Sequence, residues 1–327
     1  MLVKPEQLLN PFYSFMLTGP FKSGKTQSIA SLYWWHRQRV RRGIKLPDGT
    51  PMEAPTQLWV FDLDRDGAEP LRRIAINGTD TNVKPAIPGG WLDDLKIYRY
   101  APRGDYGKIK MQPTVGGTSQ AVDSPRRSSQ IFDQLCGEFN SLWDMLDPKT
   151  GYWKEPVSAP AIIAIDGATR LEEIITDFIA SVRSRELNSV DAGERARFAD
   201  WGAIKDKEVE FIDSAINLPC HFVYCVHDEL REEQVQASPT INPNTGAETP
   251  RTIGTGRLLI VPALVGQLRD TMGGKFTAVL WTRCENNKYY WLIAPQQEGA
   301  AQVRGAGTRT KDGLPAKIDQ DFRLILP

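Results

Sequence analysis

Nothing in the 327-residue chain approaches the roughly 18 consecutive apolar residues that a membrane-spanning helix needs. The opening MLVKPEQLLNPFYSF does not set a basic stretch before an apolar one, so no secretory leader is expected. Cysteine is scarce: Cys136, Cys220, Cys225 and Cys284 include no C-x-x-C pair, which excludes a disulfide scaffold. They read as reduced, packed thiols of a cytoplasmic protein. Net charge is also missing, with 40 Lys+Arg against 40 Asp+Glu. That argues against a uniformly cationic nucleic-acid coat and leaves a local basic face open. No internal repeat is visible. What the chain does have is ordinary for a folded protein with a real core: 41% hydrophobic and 24% charged residues. The length allows one large domain with insertions or two domains.

One further absence is local. Residues 7–47 contain no Asp or Glu, yet hold Lys22, Lys25, Arg37, Arg39, Arg41, Arg42 and Lys45. Acids dominate residues 171–213 instead, so overall neutrality conceals an N-terminal basic zone.

Short apolar runs alternate with helical patterns along the chain. YSFMLT (13–18) ends in a Gly/Pro/Ser-rich turn and is followed by a helix pattern over 25–42, closed by Gly43. QLWVFDL (57–63) ends in the acids Asp62, Asp64 and Asp66, and LKIYRY (95–100) is a third strand candidate. Residues 101–127 are Gly/Pro/Ser/Thr-rich with no apolar period and read as a loop insertion, and 129–146 has helical spacing. PAIIAID (160–166) is the most apolar strand. A helix over about 201–216 feeds HFVYCV (221–226), which ends at His227. Residues 236–256 read as a second flexible loop, and 276–284 with 288–294 as a β-hairpin. The pattern predicts a single α/β domain over 1–327 around a mainly parallel sheet, with a C-terminal hairpin and loop insertions.

The chemistry starts at Gly19-Pro20-Phe21-Lys22-Ser23-Gly24-Lys25-Thr26, which matches G-x-x-x-x-G-K-[ST] between a strand and a helix. The glycines let backbone wrap closely round a phosphate. Lys25 neutralises the β- and γ-phosphates, and the Thr26 hydroxyl suits Mg²⁺. The following helix adds its N-terminal dipole. Asp166 closes the strand IIAID, where an acid can hold Mg²⁺ through water; a plain helix N-cap is the alternative. Either Asp62 or Asp64 could activate water, and His227 stands at a strand end where it could sense the γ-phosphate.

These segments, in this order, resemble the phage RecA-like P-loop ATPases of the Sak type, which act in single-strand annealing and recombination. The resemblance rests on GPFKSGKT (19–26), IIAIDGATR (162–170), Trp201-Gly202, NLPCHFVYCVH (217–227), VPALVGQLRD (261–270) with the hairpin after it, and RTKDGLPAKI (309–318). It implies a RecA-like core with helices on both sheet faces, bound ATP and Mg²⁺, homo-oligomers, and single-stranded DNA as partner together with a single-strand-binding protein, in a bacterial host's cytoplasm. It also implies that Lys25 and Thr26 hold phosphate and Mg²⁺, that Asp166 is the Walker B acid, that Asp64 stands at the catalytic glutamate position, and that His227 is the polar γ-phosphate sensor. Arg309 or Lys311 resembles the basic element that completes a neighbour's ATP site, a solvated basic turn being the alternative.

The chain departs from that pattern in three respects. Asp replaces the expected Glu, a shorter carboxylate suited to slow hydrolysis. The 140 residues from Thr26 to Asp166 exceed a compact core. The segment after His227 is acidic (Asp228, Glu229, Glu232, Glu233), which disfavours DNA phosphates. If DNA is bound, the candidate contacts are Arg103, Lys108, Lys110, Arg126 and Arg127 in the insertion, with Tyr106 for base stacking, a plain surface loop being the alternative. Two other readings compete: a nucleotide-dependent binding or scaffold protein with little hydrolysis, and a P-loop kinase.

Overall fold

In a parallel strand buried on both faces, side chains of both parities must be apolar, and the central strands of this protein have that character. The computed structural model describes residues 12–41, 55–64, 67–80, 83–100, 125–186, 200–241, 248–264, 268–286 and 288–326. Its parallel strands are β1 (Ser14–Thr18), β2 (Gln57–Asp62), β3 (Leu95–Arg99, a half-exposed edge), β4 (Pro160–Asp166), β5 (His221–Val226) and β8 (Ala278–Glu285). They lie parallel in the order β3-β2-β4-β5-β1-β8. The antiparallel β9 (Lys288–Leu292) continues the sheet beyond β8, followed by β13 (Lys317–Asp319).

Alternate residues of each strand feed two apolar layers. Phe15, Leu17, Val60, Ile162, Ala164 and Leu280 face α1 (Lys25–Arg41), α2 (Glu69–Asn77) and α7 (Phe322–Ile325). Met16, Phe61, Ile163, Ile165, Tyr224 and Trp281 face α3 (Pro125–Asp144), α4 (Ala168–Glu186) and α5 (Asp200–Ile216). The expected mixed α/β architecture with a mainly parallel sheet is what the described residues form.

Two expectations about loops need correction. The polar stretch 236–256 is largely strand: β6 (Asp228–Ile241) and β7 (Glu248–Pro262) pair antiparallel over most of their length. Pairing satisfies their backbone groups without a core behind them, so no apolar period was needed. β7 also pairs with β11 (Ala301–Val303), and β11 with β10 (Gln297–Glu298), making a second, smaller sheet. The insertion is shorter than expected at its end, because α3 starts at Pro125 and takes in Arg126 and Arg127. Proline at a helix's first position is favoured, since its missing N–H would have no partner there. Arg103, Tyr106, Lys108, Lys110 and the helix-closing Gly43 lie outside the described residues. Among the described residues no helix is long and apolar enough to cross a membrane, and all four cysteines are free.

Candidate active site

Strand register brings the chemistry to one sheet edge. Thr18 lies opposite Val226 on one side and Trp281 on the other, while Asp62 lies opposite Asp166. The carboxyl ends of β1, β5, β4 and β2 therefore open side by side, the edge at which parallel α/β sheets bind ligands. A cleft of ≈ 670 Å³ lies there, lined by residues 21–27 of the phosphate loop and by Asp64, Asp166 and His227. Its far wall comes from α2 and the residues after it, between Pro70 and Asp80, and from Val83 and Tyr289.

The loop has the backbone a phosphate cradle needs. Lys22 at φ 61° and Gly24 at φ 97° are both left-handed, and such turns gather successive N–H groups on one concave side. Gly24 is required twice over: besides its φ, an added Cβ would lie 2.4 Å from Gln320 Oε1 and 2.7 Å from the Tyr289 ring. At Gly19 a Cβ would lie 2.3 Å from Thr282 Oγ1. α1 carries no acid in its first turn, so its dipole meets the cleft uncompensated.

Lys25 donates to Gly19 O at 2.6 Å and Pro20 O at 3.0 Å, with a longer contact of 3.5 Å to His227 Nδ1. An ammonium has no lone pair, so in this contact Lys25 can only donate. Nε2 faces Asp64 Oδ2 at 3.7 Å. The His227 backbone N–H donates to Thr169 Oγ1 at 3.1 Å, and the exposed Phe21 ring covers the imidazole at 4.3 Å between centroids. Lys25, Thr26, Asp64, Asp166 and His227 are thus brought to a single cleft.

The acids separate by environment. Asp62 is fully buried; one oxygen accepts the Ala68 N–H at 3.1 Å and the other has no partner. Burial, reinforced by Asp166 and Asp64, pushes its carboxyl up to about 7. Asp166 is pushed up to about 6 by burial and by Asp64, against the pull of Lys25. Burial in turn lowers Lys25, opposed by the acids around it. Of Asp62 and Asp64, Asp64 is the one that lines the cleft, pressed from behind by Gly167, where a Cβ would come within 2.6 Å of its Cγ.

All-oxygen donors, carboxylates whose negative charges repel one another, and an unpartnered buried Asp62 oxygen suit a hard divalent cation. Among the described residues no group of three His, Cys, Asp or Glu side chains forms a metal cage. Mg²⁺ commonly binds without one, using one or two side chains and the phosphates of its substrate, and Thr26 with Asp166 fit that pattern.

Arg309 and Lys311 stand elsewhere. Arg309 donates from its backbone to Thr277 O and from its guanidinium to Gly274 O, at the amino end of β8, and Lys311 reaches Leu324 O. Neither lines the cleft of its own chain.

Several site residues escaped sequence reading. Thr282 binds Ser23 Oγ at 2.6 Å and donates to Thr18 O at 3.2 Å. Its only signal was one polar residue in the run AVLWT. Gln320 and the α2 wall gave no local signal at all. No protein-family model matches the chain, and no curated protein matches it.

Proposed function

We propose that this chain is an ATP-hydrolysing, Mg²⁺-dependent RecA-like P-loop protein of phage DNA recombination or single-strand annealing, acting as a homo-oligomer in a host cytoplasm. What carries the nucleotide part is the convergence of a left-handed phosphate loop, Lys25, Thr26, Asp166, Asp64 and His227 on one cleft at the carboxyl edge of the sheet. Single-stranded DNA and a single-strand-binding protein come from the resemblance alone; the charge distribution does not supply them.

The loop N–H groups and the α1 dipole bind the phosphates. Lys25 exchanges its bonds to Gly19 O and Pro20 O for β- and γ-phosphate oxygens. Thr26 and Asp166 hold Mg²⁺, which when bound offsets phosphate charge. Asp64 orients a water in line with the γ-phosphorus and accepts its proton as the bond to ADP breaks. His227 lies beside both Lys25 and Asp64, where loss of the γ-phosphate changes what its ring faces. Beyond Thr26, Ile74 and Val83 with the Tyr289 ring give the nucleoside an apolar and aromatic wall.

The test is ATP turnover with and without single-stranded DNA. DNA-stimulated turnover that falls at least ~100-fold in Lys25→Ala supports the reading, and turnover in the wild type that DNA leaves unchanged removes its DNA half. One observation favours the second reading, a nucleotide-dependent binding or scaffold protein with little hydrolysis. Asp64 is a short carboxylate already facing His227, a poor starting point for reaching a water. ATP binding without turnover would select it.

A further inference from the structure

Behind the phosphate loop, 297 residues along the chain from Ser23, stands a fully buried glutamine, Gln320, between β13 and α7. Its amide nitrogen donates to Ser23 O at 2.9 Å and to Tyr290 O at 3.2 Å. Both partners are pure acceptors, which fixes the amide's orientation. The amide oxygen meets the Ser28 hydroxyl at 3.2 Å, and that hydroxyl accepts from Trp291 Nε1 at 3.0 Å. The next residues anchor the segment: Phe322 N–H donates to Ser31 Oγ, and its ring packs edge-on against Phe15 and Trp291.

A trans peptide is planar, with its C=O and N–H pointing in opposite directions. Holding Ser23 O toward the back of the loop therefore turns the Gly24 N–H toward the front. We propose that Gln320 is a positioning residue for the nucleotide site: by gripping the Ser23 carbonyl it aims the Gly24 N–H at the bound phosphate. This rests on the nucleotide reading above. The C-terminal segment thereby controls phosphate affinity without touching the ligand. Gly24 has no room for a side chain because this glutamine fills the space behind it.

Gln320→Met keeps the length and apolar stem of the side chain and removes all of its hydrogen bonds. Ser28→Ala leaves the glutamine's bonds to Ser23 O and Tyr290 O in place and removes the hydroxyl that the amide oxygen shares with Gly24 O and Trp291 Nε1. Titration calorimetry of the full-length protein with MgATP reads both affinity and the fraction of competent sites. Gln320→Met is expected to weaken affinity about tenfold with stoichiometry unchanged, the effect of one misdirected N–H on a charged oxygen. Ser28→Ala is expected to weaken it by a smaller factor, and the double variant to fall short of the product of the two. A merely structural role would lower stoichiometry at unchanged affinity, and that result overturns the proposal. So does affinity within twofold of wild type in both variants. If Gln320→Met does not fold, Ser28→Ala decides by the same criterion. Wild-type protein that binds no MgATP overturns the nucleotide reading itself, a result distinct from either.

Discussion

Asp62 and Asp64 differ by two positions and by everything that matters for proton transfer. Asp62 is sealed under Gly67 and Ala68, with one oxygen capping the turn and the carboxyl held up to about 7. Asp64 faces the cleft and His227. The roles separate on substitution. Asp64→Asn is expected to lower kcat by ~10²-fold or more with nucleotide affinity nearly unchanged, as loss of a general base does. Asp62→Asn keeps the Ala68 bond and is expected to leave kcat within a few-fold. Single-turnover kinetics of both variants distinguishes them, and the reverse result would move the base to Asp62. The spacing named this acid pair without choosing between its members, and only the resemblance pointed to Asp64. Two acids at a strand end have the same spacing whichever one the next turn covers, and the covering residues here are a glycine and an alanine without chemical signature.

At the level of elements, legibility followed burial. β1, β4 and β5 are buried throughout, so their apolar runs announced them, and the motifs at their ends fell into place with them. β6 and β7 hold each other by backbone bonds, with Val235 and Ile253 facing each other while partly exposed, and their composition resembles a loop. The loop's supports were invisible for a different reason: they lie on distant strands. Thr282 on β8 joins the loop to the sheet through Ser23 Oγ and Thr18 O. Thr282→Val keeps the shape and strands both partners in a buried place, where Thr18 Oγ1 already has no partner. A loss of about 1–2 kcal/mol in urea unfolding is expected. Gly19→Ala is expected to cost more, since its Cβ would meet both the Thr282 hydroxyl and the Thr282 carbonyl oxygen, at 2.5 Å from the latter. Equal stability of Thr282→Val and wild type would show that the loop stands without β8.

Across the whole molecule, buried ionisable groups set opposing pH dependences. Glu208, fully buried in the layer between α5 and β5, accepts the Tyr224 hydroxyl at 2.7 Å, and burial pushes its carboxyl up to about 7, as it does for Asp62. A raised acid favours the fold at low pH, and that contribution is lost as pH climbs through the folded value. Buried His36, lowered to about 4, and His221, lowered well below its usual range, act the other way. Their contribution is full above about pH 6.5 and lost as pH falls toward 4. Below pH 6.5 the two effects oppose each other. Between pH 6.5 and 8 the unfolded histidines shed only their remaining half-proton, about 0.4 kcal/mol each, while each acid gives up most of its folded-state proton, so the acids dominate and stability falls as pH rises. With an acid that titrates near 7 when folded and near 4 when unfolded, the fall is about 1 kcal/mol per group over that window. Glu208→Gln keeps an acceptor for Tyr224 and removes the titration, so its unfolding free energy should decline by about 1 kcal/mol less than the wild type's over the same interval. Urea unfolding at pH 6.5 and 8, without nucleotide, measures both slopes. A wild-type stability that rises over this interval would mean that neither acid carries its proton in the folded protein. In that case the uncompensated oxygens of Asp62 and Glu208 would both have to be charged inside the core, an arrangement costly enough that the variant should then be the more stable across this interval.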